Sequence, residues 1–454
     1  MSPKRSSHPP TETPVARTKS RPGGCVRKPW PYLPPMTSPA ADVDKPALKG
    51  PGFPEFVALI AMMMALNALA IDSMLPVLPA IGDALGVVSE NSRQWVITAY
   101  LLGFGVTQII YGPLADRFGR KPILMIGLGL YVLFSVLAAF APTFELLIAA
   151  RVGSGVGAAA LRVLAVSIVR DRYSGRTMAR VMSLSFLVFL GVPILAPALG
   201  QLILTVAPWP WVFGVLAVGG AAFALWAAIR LPETLHPENR MPIQVGRIAS
   251  AFREALSNRQ AMGYTLAITA ISGALFGFLN SSQQIFFDVF HEPRLFTIVF
   301  GAIAGGIAVA SLLNARLVER LGSRLISHTA LLGFITFSAV HAAVAISGHE
   351  TIWTFAVLQA LTMFCFGFIA GNFGAMAMEP MGHIAGTASS AQGFISTTFG
   401  ASLGFLIGQQ FNGSAAPMTI GFVALGLAAL ACVLIAERGR LFKARNPRPV
   451  LAPS

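Results

Sequence analysis

LADRFGRK, residues 114–121, is a short charged stretch between two apolar runs, and LVERLGSR at 317–324 repeats its pattern. Both hold leucine, an acid, arginine, an apolar residue and glycine in the same order, 203 residues apart. Two matching loops at half-chain spacing indicate an internal duplication. The first question outward from them is what kind of element flanks each loop.

The flanks are greasy. Of 454 residues, 55% are hydrophobic and only 11% charged, against about 25% charged in an ordinary soluble domain. Glycine (44) and proline (31) are frequent, as in membrane helices. Apolar runs of about 20 residues or more cross a ~30 Å hydrocarbon core. Twelve are expected, at 55–79, 92–113, 122–141, 144–169, 179–206, 210–231, 262–287, 296–318, 324–346, 351–378, 384–411 and 417–436. The longest hydrophilic internal stretch, 232–259, divides them six and six. The expected fold is therefore an all-α polytopic membrane protein of twelve transmembrane helices in two six-helix bundles. Bundles at 54–231 and 260–436 would be joined by a linker at 232–259 and flanked by tails at 1–53 and 437–454.

The net charge of +14 does not describe a nucleic-acid face. Nine Lys or Arg lie in the first 50 residues, and most others sit in short loops on one side. With the N-terminus inside, inner loops hold Arg117, Arg120, Lys121, Arg170, Arg172, Arg176, Arg180, Arg240, Arg247, Arg253, Arg259, Arg320 and Arg324. Outer loops hold only Arg93 and Arg294. That asymmetry predicts a multi-pass protein with both termini cytoplasmic. Residues 1–50, rich in Pro, Ser and basic groups, predict a disordered tail or an over-long start with Met36 as the true one. Cys25, Cys365 and Cys432 are too scattered for a disulfide framework or a metal set. The sequence contains no nucleotide loop, metal cluster or catalytic triad, so neither a cofactor nor an enzyme activity is expected.

Residues 112–124, GPLADRFGRKPIL, resemble the loop signature of the major facilitator superfamily between its second and third helices. IDSMLPVLPAI (71–81), RVGSGVGAAALRVLAVSIVRDRY (151–173) and AMEPMGHIAGTASSAQGF (377–394) resemble its drug:proton antiporter branch, and within it the Bcr/CflA multidrug exporters. The resemblance covers about residues 54–436. The fifth-span signature departs from the family pattern. GVPILAPALGQ (191–201) keeps Pro197 and Gly200 at their spacing but has Ala196 and Gln201 where glycines are usual, and Pro193 with Pro197 is expected to kink the span. The resemblance implies a bacterial inner-membrane exporter of small drugs or metabolites that exchanges them for protons by alternating access, with monomer the expected state. A proton symporter, a facilitator or a non-transporting receptor on the same fold remain alternatives.

Three ionisable groups fall deep inside the candidate spans: Asp72, Arg151 and Arg162. Such groups are costly in a membrane and usually serve a pathway or a proton relay. Asp72 and Arg151 each lie seven residues from the outer end of their spans, about 10 Å deep, so they can meet. A neighbouring arginine and desolvation act on a carboxyl in opposite senses, which poises it to titrate. The expected role is proton coupling by Asp72 and Arg151, the alternative a permanent ion pair. By resemblance, Arg151 is the fourth-helix arginine implicated in proton handling. Arg162, about 16 Å nearer the cytoplasm, has three readings: it binds an anionic or carbonyl-rich substrate, pairs with Glu379, or snorkels to the cytoplasm.

By resemblance, Asp116 rests at the inner end of the eleventh helix, HIAGTASS (383–390), when the cavity opens outward. A helix N-terminus favours a carboxylate there. Gly112, Arg117, Gly119, Arg120, Lys121 and Asp171 complete this gating loop. Asn280, Gln283, Gln284 and Phe287 recur at helical spacing and share a face, which suits a mainly apolar pocket with a few polar groups or, alternatively, interhelical hydrogen bonds. Asn67 and Asn372 are weaker pocket candidates.

Overall fold

The computed structural model describes residues 50–242 and 245–442. Most of the expected N-terminal tail, with Cys25 and Met36, and the tail beyond 442 lie outside the described residues. The elements are α1 (Phe53–Asp72), α2 (Leu78–Ala84), α3 (Trp95–Phe118), α4 (Arg120–Ala139), α5 (Phe144–Arg172), α6 (Gly175–Val206) and α7 (Pro210–Arg230). They continue with α8 (Val245–Ser257), α9 (Arg259–Gln284), α10 (Pro293–Leu321), α11 (Ser323–Ile346), α12 (Ile352–Met378), α13 (Ala385–Gly408) and α14 (Ala416–Glu437).

Local sequence explains many of the ends. Proline opens α7 and α10 at the first turn, where its missing N–H costs nothing. Thr143 accepts from the Leu146 N–H at the start of α5, and Asn258 caps α9 through the N–H groups of Gln260 and Ala261. Such caps satisfy amides that have no partner inside the helix.

The twelve candidate spans all appear as long helices. Among the described residues, eleven are long and apolar enough to cross a membrane. The twelfth, α13, is diluted by Ser, Thr, Gly and Gln (AGTASSAQGF) and lies along α9 and α3. Two expectations need correction. The first span is not one helix: α1 stops at Asp72, a short 3-10 turn covers Leu75–Val77, and α2 completes the crossing. The hydrophilic stretch 232–259 also contains α8, which packs on α13 and α9.

The duplication is visible in the backbone. α3 ends at Phe118 and α10 at Leu321; α4 starts at Arg120 and α11 at Ser323. Both pairs keep the 203-residue offset. Within the first half, α5 packs on α3 and α4, α7 on α4, and α6 on α1; within the second, α9 holds α13 and α14, while α12 holds α10 and α11. Two antiparallel seams join the halves, α3 with α13 and α6 with α10. Aromatic side chains such as Tyr100, Tyr131, Phe213, Phe278 and Phe355 fill the interior. Ile126, Leu195, Leu202, Ile229 and Leu427 are exposed, as lipid contact requires.

Candidate functional site

Proline determines where the first span breaks. In a helix, a proline ring clashes with the carbonyl four residues earlier. For Pro76 that residue is Asp72, the last of α1. The Met74 N–H turns to the Ile71 carbonyl at 3.3 Å, leaving the Ala70 carbonyl open to another donor. Arg151 takes it: Nη2 donates to Ala70 at 2.9 Å and Nε to the Val96 carbonyl of α3 at 2.9 Å. Its guanidinium also lies over the Tyr100 ring, 4.5 Å from the centroid, a favourable cation–π geometry. Arg151 is only 1% exposed. It therefore ties α5, α1 and α3 together at the break.

Asp72 sits at the same level and is 5% exposed. The alternative of a permanent ion pair is not formed: among the described residues, no hydrogen bond or salt bridge engages Asp72. Backbone carbonyls occupy Arg151 instead. Gly200 of α6 faces the break, where a Cβ would come 2.1 Å from the Ser73 carbonyl and 3.2 Å from Pro76. Only glycine fits that approach. Asn67, half-buried one turn before Asp72, accepts a 2.7 Å hydrogen bond from the Tyr100 hydroxyl. α6 runs as one helix through Pro193 and Pro197. Its Gln201 accepts a hydrogen bond from Thr297 of α10, so this departure from the family pattern forms a link between the halves.

A charge knot surrounds the loop between α3 and α4. Gly119 turns the chain with φ +104 and ψ 156. Glu233, just beyond α7, accepts from the N–H groups of Arg120 (2.9 Å) and Lys121 (3.1 Å), a carboxylate at a helix N-terminus. Arg120 bridges Asp116 (2.7 Å) and Asp171 (2.9 Å). Thr234 also donates to Asp171, and Lys121 Nζ donates to the Ala228 carbonyl. Arg117 is exposed, 5.2 Å from the Phe118 ring. Gly112 lies against Ser390 of α13. Asp116 itself does not cap α13, which has no side-chain cap; Arg120, four residues on, holds its carboxylate.

The second half repeats the knot with other residues. Gly322 has φ +80 and ψ 151. Arg324, at the position equivalent to Lys121, bridges Glu379 and Glu437, each at 2.8 Å. Gln260 also donates to Glu379 at 2.6 Å, and the Tyr264 hydroxyl donates to Glu437 at 2.9 Å. Glu379 is thus engaged by Arg324, and the suggested pairing with Arg162 is not made. Arg162 is exposed on α5 and has no hydrogen bond or ion pair among the described residues.

The polar stripe of the seventh span divides. Asn280 meets Thr98 at 3.4 Å, and Gln284 receives the Gln94 amide at 2.6 Å while donating to Asn91 at 2.7 Å. Gln94 also donates to the Gly408 carbonyl, and Gln409 to the Asn91 carbonyl. These bonds join Thr98 of α3 and the short turn before it to α9 and the end of α13, opposite the charge knot. A π-helical turn over Ile285–Val289 follows α9, and Phe287 packs edge-on against Phe296 of α10. Gln283 is 2% exposed, its amide nitrogen without a partner. Asn372 donates to Asn314 of α10 at 2.7 Å. Sequence reading missed Gln94, Asn91, Gln409 and Glu233. Glu233 carried one usable signal, an acid just past an apolar run; the amides carried none.

Comparison with known proteins agrees with this architecture. Residues 60–405 match the family model described as Major Facilitator Superfamily. The chain is 32% identical over 381 residues to the uncharacterized MFS-type transporter YdgK of Bacillus subtilis, covering 82% of this chain and 93% of that one. It is 28% identical over 364 residues to a bicyclomycin resistance protein homolog of Haemophilus influenzae, covering 80% and 91%. It is 29% identical over 381 residues to the multidrug resistance protein MdtL of Shigella dysenteriae, covering 83% and 94%. Its fold is similar to the crystal structure of the human organic anion transporter MFSD10 (TETRAN), with a TM-score of 0.66 and 17% identity over 85% of this chain and all of that one.

Proposed function

The chain belongs to the major facilitator superfamily of membrane transporters, and from that premise we propose that it exports small drugs or metabolites in exchange for protons. The observation that carries the reading is Asp72, a buried carboxyl at a helix break with no ion-pair partner among the described residues. An acid in that setting is costly, and such residues usually serve a pathway or a proton relay. Asp72 takes a proton from the outside and releases it inside when cargo arrives or the cavity closes. Arg151 holds the broken first span in register, so that changes in helix packing reach the carboxyl. The resistance proteins among the relatives support drugs as cargo.

In this reading the charge knots lie on the cytoplasmic side of a bacterial inner membrane, with both termini. The bundles at 54–231 and 260–436 rock about the α3–α13 and α6–α10 seams. The side-chain hydrogen bonds of Gln94, Gln284 and Gln409 close the outer end, and Asp116 docks at α13 only when the cavity opens outward. Asn67, Asn280, Gln283, Gln284, Phe287 and Asn372 border the route as the halves separate. The membrane potential supplies about 2.3 kcal/mol per charge at 100 mV.

The test is resistance in a bacterial strain lacking its own exporters. Wild type is expected to raise the inhibitory concentration of a phenicol or a bicyclic antibiotic several-fold. Asp72→Asn, expressed at the same level in the membrane, is expected to give none. Equal protection by both would end the proton-coupling role of Asp72.

A further inference from the structure

Arg162 is a permanent charge inside a membrane-spanning helix, and no acid among the described residues neutralises it. It is exposed, with no hydrogen bond or ion pair among the described residues. The acids of the two charge knots are engaged elsewhere. Asp116 and Asp171 hold Arg120, Glu55 holds Arg230, and Glu379 and Glu437 hold Arg324, while Glu233 caps α4. The side chains one turn away, Ala158, Ala159 and Ala165, carry no polar group.

Its face on α5 is more informative than its depth. Arg162 lies ten residues before the end of α5 at Arg172, about 15 Å along the axis. At 29 residues, α5 is longer than the ~30 Å core requires, so Arg162 lies in the cytoplasmic part of the span, and the face it occupies is what separates a cargo contact from a snorkelling side chain. Arg162 follows Arg151 by eleven residues, about three turns, and so shares its face. That face points to α1 and α3, where Arg151 finds the carbonyls of Ala70 and Val96. Arg162 is thus directed into the bundle at a level where the helices leave it open. Asp72, near the Arg151 level, is about 16 Å away along the axis.

Resting on the export reading above, we propose that Arg162 is a cargo-binding residue that selects amphiphiles bearing a carboxylate. The planar guanidinium matches a carboxylate with two parallel hydrogen bonds, and the apolar surroundings take the rest of the ligand. A carboxylate bound there lies too far from Asp72 to compete for its site.

The experiment uses the purified full-length protein and a matched fluorescent pair, N-dansyl-leucine and its methyl ester, which share an apolar body and differ in the charge. Wild type is expected to bind the acid at least about tenfold more tightly than the ester. Arg162→Gln is expected to bring that ratio to about one. Arg162→Lys, which keeps the charge but loses the fork, is expected to fall between them. Unaltered gel-filtration behaviour shows that each variant is folded. Equal affinity for acid and ester in wild type, a ratio that survives Arg162→Gln, or binding of neither compound would overturn the proposal. Proton release driven by a lipophilic cation in vesicles is scored separately. Its loss would remove the export reading and leave the anion site; its retention with an equal ratio would remove only the anion site.

Discussion

At the scale of single residues, the site depends on what Pro76 does to its neighbours. It ends α1 at Asp72 and frees the Ala70 carbonyl, which Arg151 then holds at 2.9 Å. Sequence reading found Asp72 and Arg151 and put them at one level where they could meet, with a permanent ion pair as the alternative. That alternative is not realised because Arg151 takes a backbone acceptor exposed by a helix break, which is not written in any side chain. Gly200 belongs to the same construction. A methyl group there would come 2.1 Å from the Ser73 carbonyl, a backbone atom that cannot swing away. Gly200→Ala is therefore expected to destabilise the protein by roughly 1–3 kcal/mol, read as a lower unfolding temperature of the purified protein. An unchanged temperature would mean that α6 does not press on the break.

At the scale of elements, the helices were legible because a span must be apolar for about 20 residues. α13 was found as well, although its small polar residues suit packing against α9 and α3 better than lipid. α8 was missed because its surroundings are hydrophilic and its register against α9 and α13 is a tertiary matter. The loop repeat was legible to the residue, and its two glycines make a comparison possible. Gly119 (φ +104, ψ 156) and Gly322 (φ +80, ψ 151) both occupy backbone space reserved for glycine, where a side chain costs of order 1–3 kcal/mol. At Gly119 a Cβ would also come 2.5 Å from the Glu233 carboxylate, which three backbone N–H groups pin in place. Gly322 has nothing within 4 Å. Gly119→Ala is expected to lower the unfolding temperature and transport more than Gly322→Ala. Equal losses would show that the glycine conformation alone matters and that Glu233 adds nothing.

At the scale of the whole molecule, the two halves meet along α3–α13 and α6–α10, with amide side chains closing the end opposite the charge knots. These contacts join residues about 190 to 320 positions apart, so the sequence singled out Gln284 but neither its partners nor what they bind. It also separated the halves, because hydropathy and basic loops report each span's place in a membrane without a partner. The central claim, that Asp72 couples cargo to protons, is a property of this whole assembly. The most direct measurement is proton movement in energised everted vesicles containing the protein, followed with a pH-sensitive dye while a phenicol or a lipophilic cation is added. Cargo-induced proton release by wild type, absent from Asp72→Asn, is the expected result. Measured cargo flux with no proton release from wild type would contradict it, leaving Asp72 as part of a structural break in a facilitator.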